Sequence, residues 1–86
     1  MSKYNHYNNL VHSYKKLQQA QEEIESAFSC LAFEGDTKQL AELLEIKREL
    51  MLFKNKIYFQ KKEVKEGLNP EELEQAKKEY EENFKG

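Results

Sequence analysis

Two histidines, one cysteine and several paired carboxylates are the side chains of this 86-residue sequence that bear on catalysis or metal binding. His6 and His12 are six residues apart, whereas helical metal sites use spacings of three or four. Both read as solvated polar side chains. Cys30 lies between Ser29 and Leu31, with no base or positive neighbour to favour a thiolate, and reads as a small packing residue. Glu22-Glu23, Glu71-Glu72 and Glu81-Glu82 stand on patterned segments with lysines nearby, which describes solvated faces. General acid–base work needs a cleft that perturbs pKa values, and nothing in the pattern predicts one. The three glycines, Gly35, Gly67 and Gly86, form no phosphate-cradling loop. The expectation is a chain that is not an enzyme, with no catalytic, cofactor-binding or metal residues, no cofactor and no small-molecule substrate.

One segment carries a different chemistry. Between Lys54 and Lys62, lysines alternate with Ile57, Tyr58 and Phe59, and such interleaving can grip phosphates and stack bases. Lys54, Lys56, Lys61 and Lys62 would be the contacts of a nucleic-acid-associated factor. Against that, Lys47, Lys54 and Lys61 recur every seven residues beside an apolar seam, with Glu42, Glu49 and Glu63 on the other flank. That is the charge arrangement of a coiled-coil edge, where lysine stems cover the core. The net charge of −2 supplies no global attraction to polyanions.

The elements that must position these residues are helices. Apolar residues make up 38% and charged residues 35%, and good helix formers dominate while Val, Thr, Gly and Pro are scarce. Two interruptions divide the chain. At Glu34-Gly35-Asp36-Thr37, Gly35 can close one helix in the left-handed conformation while Asp36, with Gln39, caps the next. At Gly67-Leu68-Asn69-Pro70-Glu71-Glu72, Gly67 stops a helix and Asn69 caps another. Pro70 fits that helix's first turn, and two carboxylates meet its positive end.

The architecture expected is all-α and a single domain over residues 1–86: an antiparallel hairpin of helices about 3–33 and 37–66, plus a shorter third helix about 70–85. In the first helix Tyr7, Leu10, Tyr14, Leu17, Ile24, Phe28 and Leu31 follow a 3-4 alternation that only Gln21 interrupts. In the second, Leu43, Ile46, Leu50, Phe53, Ile57 and Val64 do so, with Gln60 the exception. The third carries Leu73, Ala76, Tyr80 and Phe84. Residues 3–9, rich in Tyr and Asn, make the weakest helical stretch and are expected to fray. Tyr4, Tyr7 and Tyr14 either continue the hairpin seam or anchor an interface.

The second helix has a surplus of apolar surface. Leu44, Met51, Leu52, Tyr58 and Phe59 fall away from its seam, and a helix apolar on two faces is normally covered on both. Leaving five such side chains in water forfeits about several kcal/mol at roughly 25 cal/mol per Å². Residues 47–65 hold seven basic and two acidic side chains and residues 70–85 six acidic and three basic, so the third helix folded back along the second is one candidate cover. Another copy of the chain, or a partner protein, is the other.

The stretch from Ile24 to Leu50, with Gly35-Asp36 followed by Leu40-Ala41-Glu42-Leu43-Leu44-Glu45, resembles the helical centre of small secretion and flagellar export chaperones. Leu50 to Glu72, ending in Asn69-Pro70-Glu71-Glu72-Leu73, is similar to part of the YlbF-type regulatory proteins. Each likeness covers under half the chain. The longest apolar run is Leu50-Met51-Leu52-Phe53, too short to cross a bilayer, and the N-terminus lacks a signal-peptide core, so a cytoplasmic setting without membrane contact is expected. The function expected is a non-enzymatic protein–protein interaction module of adaptor, chaperone or inhibitor type. It would act through apolar helix faces as a homodimer, with Leu44, Met51, Leu52, Tyr58 and Phe59 as interface candidates. The nucleic-acid-associated factor is the alternative.

Overall fold

The computed structural model describes residues 4–35 and 37–84. Three helices, α1 (Asn5–Glu34), α2 (Thr37–Glu66) and α3 (Pro70–Phe84), lie within two residues of the boundaries read from the sequence, and no strand occurs among the described residues.

The caps explain the boundaries. Gly35 adopts φ 74°, the left-handed region that a Cβ disfavours, and its N–H donates to the carbonyl of Ala32 at 3.2 Å. The expected cap at Asp36 lies outside the described residues. At the other interruption, the Glu72 N–H donates to Asn69 Oδ1 (2.8 Å) while the Asn69 N–H donates to Glu72 Oε1 (3.2 Å). This reciprocal box fixes the start of α3, with Pro70 in its first turn.

α1 and α2 pack along one another as an antiparallel hairpin. The least exposed positions of α1 in this seam include Leu10, Tyr14, Leu17, Gln21, Ile24, Phe28 and Leu31, the alternation expected from the sequence. On α2 the pattern departs from expectation. The shielded positions are Leu40, Leu43, Lys47, Leu50, Lys54, Ile57, Lys61 and Val64, whereas Ile46 and Phe53 are each 52% exposed. The leucine-isoleucine row is shared with a lysine row instead of a second apolar row. The cause lies across the seam, where α1 offers acceptors to those lysines.

Of the two candidate covers for the far face of α2, the third helix does not serve as one. α3 packs on α1, and its contact with α2 is slight. It runs parallel to α1: Asn8 Nδ2 donates to the Ala76 carbonyl (2.9 Å), and His12 Nδ1 lies 3.3 Å from the Tyr80 hydroxyl. Ala76 is fully buried and Asn8 only 2% exposed, so the small alanine admits close approach and the asparagine satisfies the polarity it brings. Residues 4–9, expected to fray, are therefore held: Asn5 to Asn9 are helical and Asn8 is buried. The helix that lies between two neighbours is α1, not α2.

Candidate functional site

Two local arrangements contain the polar side chains considered for chemistry. The first is the lysine row of α2. Lys47 Nζ lies 3.3 Å from Glu25 Oε1, and Lys54 Nζ donates to Gln18 Oε1 (2.7 Å) and Gln21 Oε1 (2.6 Å). Lys61 Nζ sits 4.7 Å from the centroid of the Tyr14 ring and 5.2 Å from that of Tyr58. Seven residues is nearly two helical turns, so each lysine presents the same aspect to α1 and meets a successively earlier partner. Gln21, which breaks the apolar alternation of α1, is an acceptor for Lys54. The Glu25 carboxyl is held below its ordinary range, chiefly by the hydrogen bond from Gln21 and then by that from Lys47 and its charge.

Of the four lysines named for nucleic-acid contact, Lys54 and Lys61 are thus engaged inside the fold, while Lys56 and Lys62 lie at the surface. Arg48, also on the surface, lies 4.0 Å from Glu45 one turn earlier.

The second arrangement is the junction of α1 with α3. His12, expected to be solvated, stacks on Phe84 with ring centroids 4.3 Å apart and approaches Tyr80 at 6.0 Å. Lys15 Nζ stands 4.5 Å from the centroid of the Tyr80 ring. Both histidine neighbours belong to the thin stripe of α3, and the stack accounts for their positions. His6 is exposed. Cys30 is exposed as well, not the packing residue expected. An open groove of about 450 Å³ runs beside this junction, and Tyr7 and Val11 line it with Leu73 and Tyr80. Among the described residues no group of three or more His, Cys, Asp or Glu side chains is arranged to hold a metal, and no helix is long and apolar enough to cross a membrane.

The remaining feature is apolar. Among the described residues, Phe33 (95% exposed), Leu44 (47%), Ile46 (52%), Met51 (41%), Leu52 (65%), Phe53 (52%), Tyr58 (41%) and Phe59 (59%) are the large apolar side chains in water. All but Phe33 belong to α2. Tyr58 is tied in part to the hairpin, its ring 5.8 Å from that of Tyr14 and 5.7 Å from that of Phe59. Leu44, Met51 and Leu52 form the apolar part of a shallow groove of about 350 Å³, edged by Lys47, Arg48 and Asn55. Ile46 and Phe53 join the exposed set because the lysine row replaces them in the seam. Sequence reasoning missed this, although Gln21 facing Lys54 was a signal for it.

The fold and this surface together define an elongated three-helix protein with an apolar helix face outside its own core. No family model, curated protein or solved structure matches the chain, so the likenesses seen in the sequence add nothing to the functional reading.

Proposed function

We propose that the chain is a non-enzymatic protein–protein interaction module, in which the apolar surface of α2 receives another helical surface. Adaptor, chaperone and inhibitor roles all use this device, helix-in-groove or completion of a bundle. The observation that carries the reading is the placement, among the described residues, of seven of the eight exposed large apolar side chains on one helix. Scattered single residues of this kind are ordinary on a protein surface, but Leu44, Met51 and Leu52 share one groove, and a contiguous apolar patch marks an interaction site. Within this reading the setting is cytoplasmic, and Cys30 needs no disulfide partner.

The test is affinity capture from cells of the native host, using the wild-type chain and the Leu52→Asp/Phe59→Ser variant as baits. Captured proteins are identified and their binding is remeasured with purified components. The reading predicts at least one purified partner, a second copy of the chain included, that binds the wild type and loses at least tenfold in affinity for the variant. A helical variant that retains every interaction of the wild type contradicts it.

A further inference from the structure

We infer that the occupant of the α2 face is a second copy of this chain, with the two α2 helices antiparallel across a two-fold axis near Leu52. The inference rests on the interaction-module reading and names its partner.

The first ground is area. The chain exposes 6592 Å², whereas a compact monomer of its 10.3 kDa exposes roughly 5,400 Å². The excess, roughly 1,200 Å², exceeds the roughly 800 Å² per partner that a standard stable interface buries. Part of it follows from shape, since the molecule measures 52 × 27 × 20 Å with a radius of gyration of 16.9 Å, against roughly 12 Å for a compact chain of this length. Side-by-side pairing along the long axis removes surface of that kind.

The second ground is where the third helix stops. α3 tracks α1 from Asn8 to His12, where Phe84 ends it, while Lys54 of α2 meets α1 further along, at Gln18 and Gln21. Among the described residues, the hairpin from that level to its tip has two helices. Leu44, Ile46, Met51, Leu52 and Phe53 all lie in that two-helix part, and the short α2–α3 connection keeps the chain's own third helix at the other end.

The third ground is charge. Residues 37–51 hold three basic and three acidic side chains, and residues 52–66 hold five basic and two acidic. Parallel pairing would set the two basic halves against each other. Antiparallel pairing sets each against a balanced half, so that Glu49 of one copy lies within one residue of level with Lys56 of the other. The same turn brings Leu44 of one copy within one residue of level with Phe59 of the other, and Leu52 against its own equivalent. A face that complements itself after a half-turn is what a closed two-fold dimer requires.

Sedimentation equilibrium of the full chain at about 1–200 µM tests the inference. The expected result is a mass twice that of the monomer at the upper end. Leu52→Asp should weaken association at least tenfold with helicity kept. Should that variant unfold, the surface substitutions decide: Glu49→Lys and Lys56→Glu should each weaken association about 3- to 10-fold, and the two together should restore it. A monomeric wild type throughout overturns the inference. If that monomer still binds a foreign protein through α2, the module reading survives; if it binds nothing that the variants lose, both fall. Dimerisation unaffected by all three substitutions also overturns the inference. So does a double charge variant no better than the single ones, because it denies the antiparallel register.

Discussion

Lys54 Nζ lies 2.6 Å from Gln21 Oε1, joining the one polar residue in the apolar alternation of α1 to the middle lysine of the α2 row. Gln18 supplies a second acceptor at 2.7 Å, so the ammonium enters the seam with partners in place. An ammonium brought out of water without acceptors would be costly, and hydrogen bonds to a charged group each contribute about 1.5–3 kcal/mol. Lys54→Ala should therefore destabilise the chain by about 1–2 kcal/mol, losing both bonds and the cover its stem gives the core. Lys54→Leu combined with Gln21→Leu should cost about 1 kcal/mol less than the sum of the two single changes, because neither polar group is then stranded. Denaturant unfolding of the four proteins measures this; strict additivity contradicts the coupling.

The attachment of α3 depends on Asn8. Asn8→Ala removes the buried bond to the Ala76 carbonyl and should cost about 1–2 kcal/mol. His12→Ala removes the stack on Phe84 and should cost about 0.5–1.5 kcal/mol. Both losses should appear first as faster amide exchange in α3, with α2 little changed. Equal acceleration in all three helices would show that α3 does not open separately.

The box between Asn69 and Glu72 predicts a smaller, more local effect. Asn69→Ala should cost about 1 kcal/mol, whereas Asn69→Asp, which keeps the acceptor, should cost less than half of that. Thermal unfolding of the two variants distinguishes a capping loss from general damage. Equal shifts in both would contradict the role given to the Asn69 side chain.

Glu25 gives the hairpin a dependence on pH. Hydrogen bonds from Gln21 and Lys47, with the charge of Lys47, hold its folded-state pKa below the unfolded value of about 4.3. The unfolded chain therefore takes up the proton first as pH falls. This contribution is complete above the unfolded value and is lost as pH drops through the lower folded one. Lys47→Met should reduce the loss of stability between about pH 5 and 3 relative to wild type. Acid limbs with identical slopes for the two proteins would show that Lys47 has no part in it.

Helix ends were legible because their signals are local: Gly35 in a left-handed cap, and Asn69, Pro70 and Glu72 within four residues of one another. The α1 seam was legible because only one face of that segment carries a 3-4 alternation. The α2 seam was only half legible. Ile46 and Phe53 fit the alternation as well as Lys47 and Lys54 do, and α2 is apolar on so many sides that periodicity could not choose. Glu25, Gln18, Gln21 and Tyr14 made the choice from across the hairpin, more than twenty residues away in sequence. Net charge made α3 one candidate cover for the far face of α2. Surface ion pairs contribute little, and the close fit of Ala76 on Asn8, with His12 between Tyr80 and Phe84, outweighs them. Of the interface candidates, Leu44, Met51, Leu52, Tyr58 and Phe59 could be named because they lie off the seam; Ile46 and Phe53 could not, since their exposure follows from the lysine row.

The central claim is that the apolar face of α2 is covered by another copy of the chain, and such coverage makes stability depend on protein concentration. The direct measurement is the unfolding temperature across a hundredfold range, from about 2 to 200 µM. The account predicts a midpoint that rises steadily with concentration in the wild type, and a lower, concentration-independent midpoint in Leu52→Asp. A wild-type midpoint that stays constant over the whole range would contradict it.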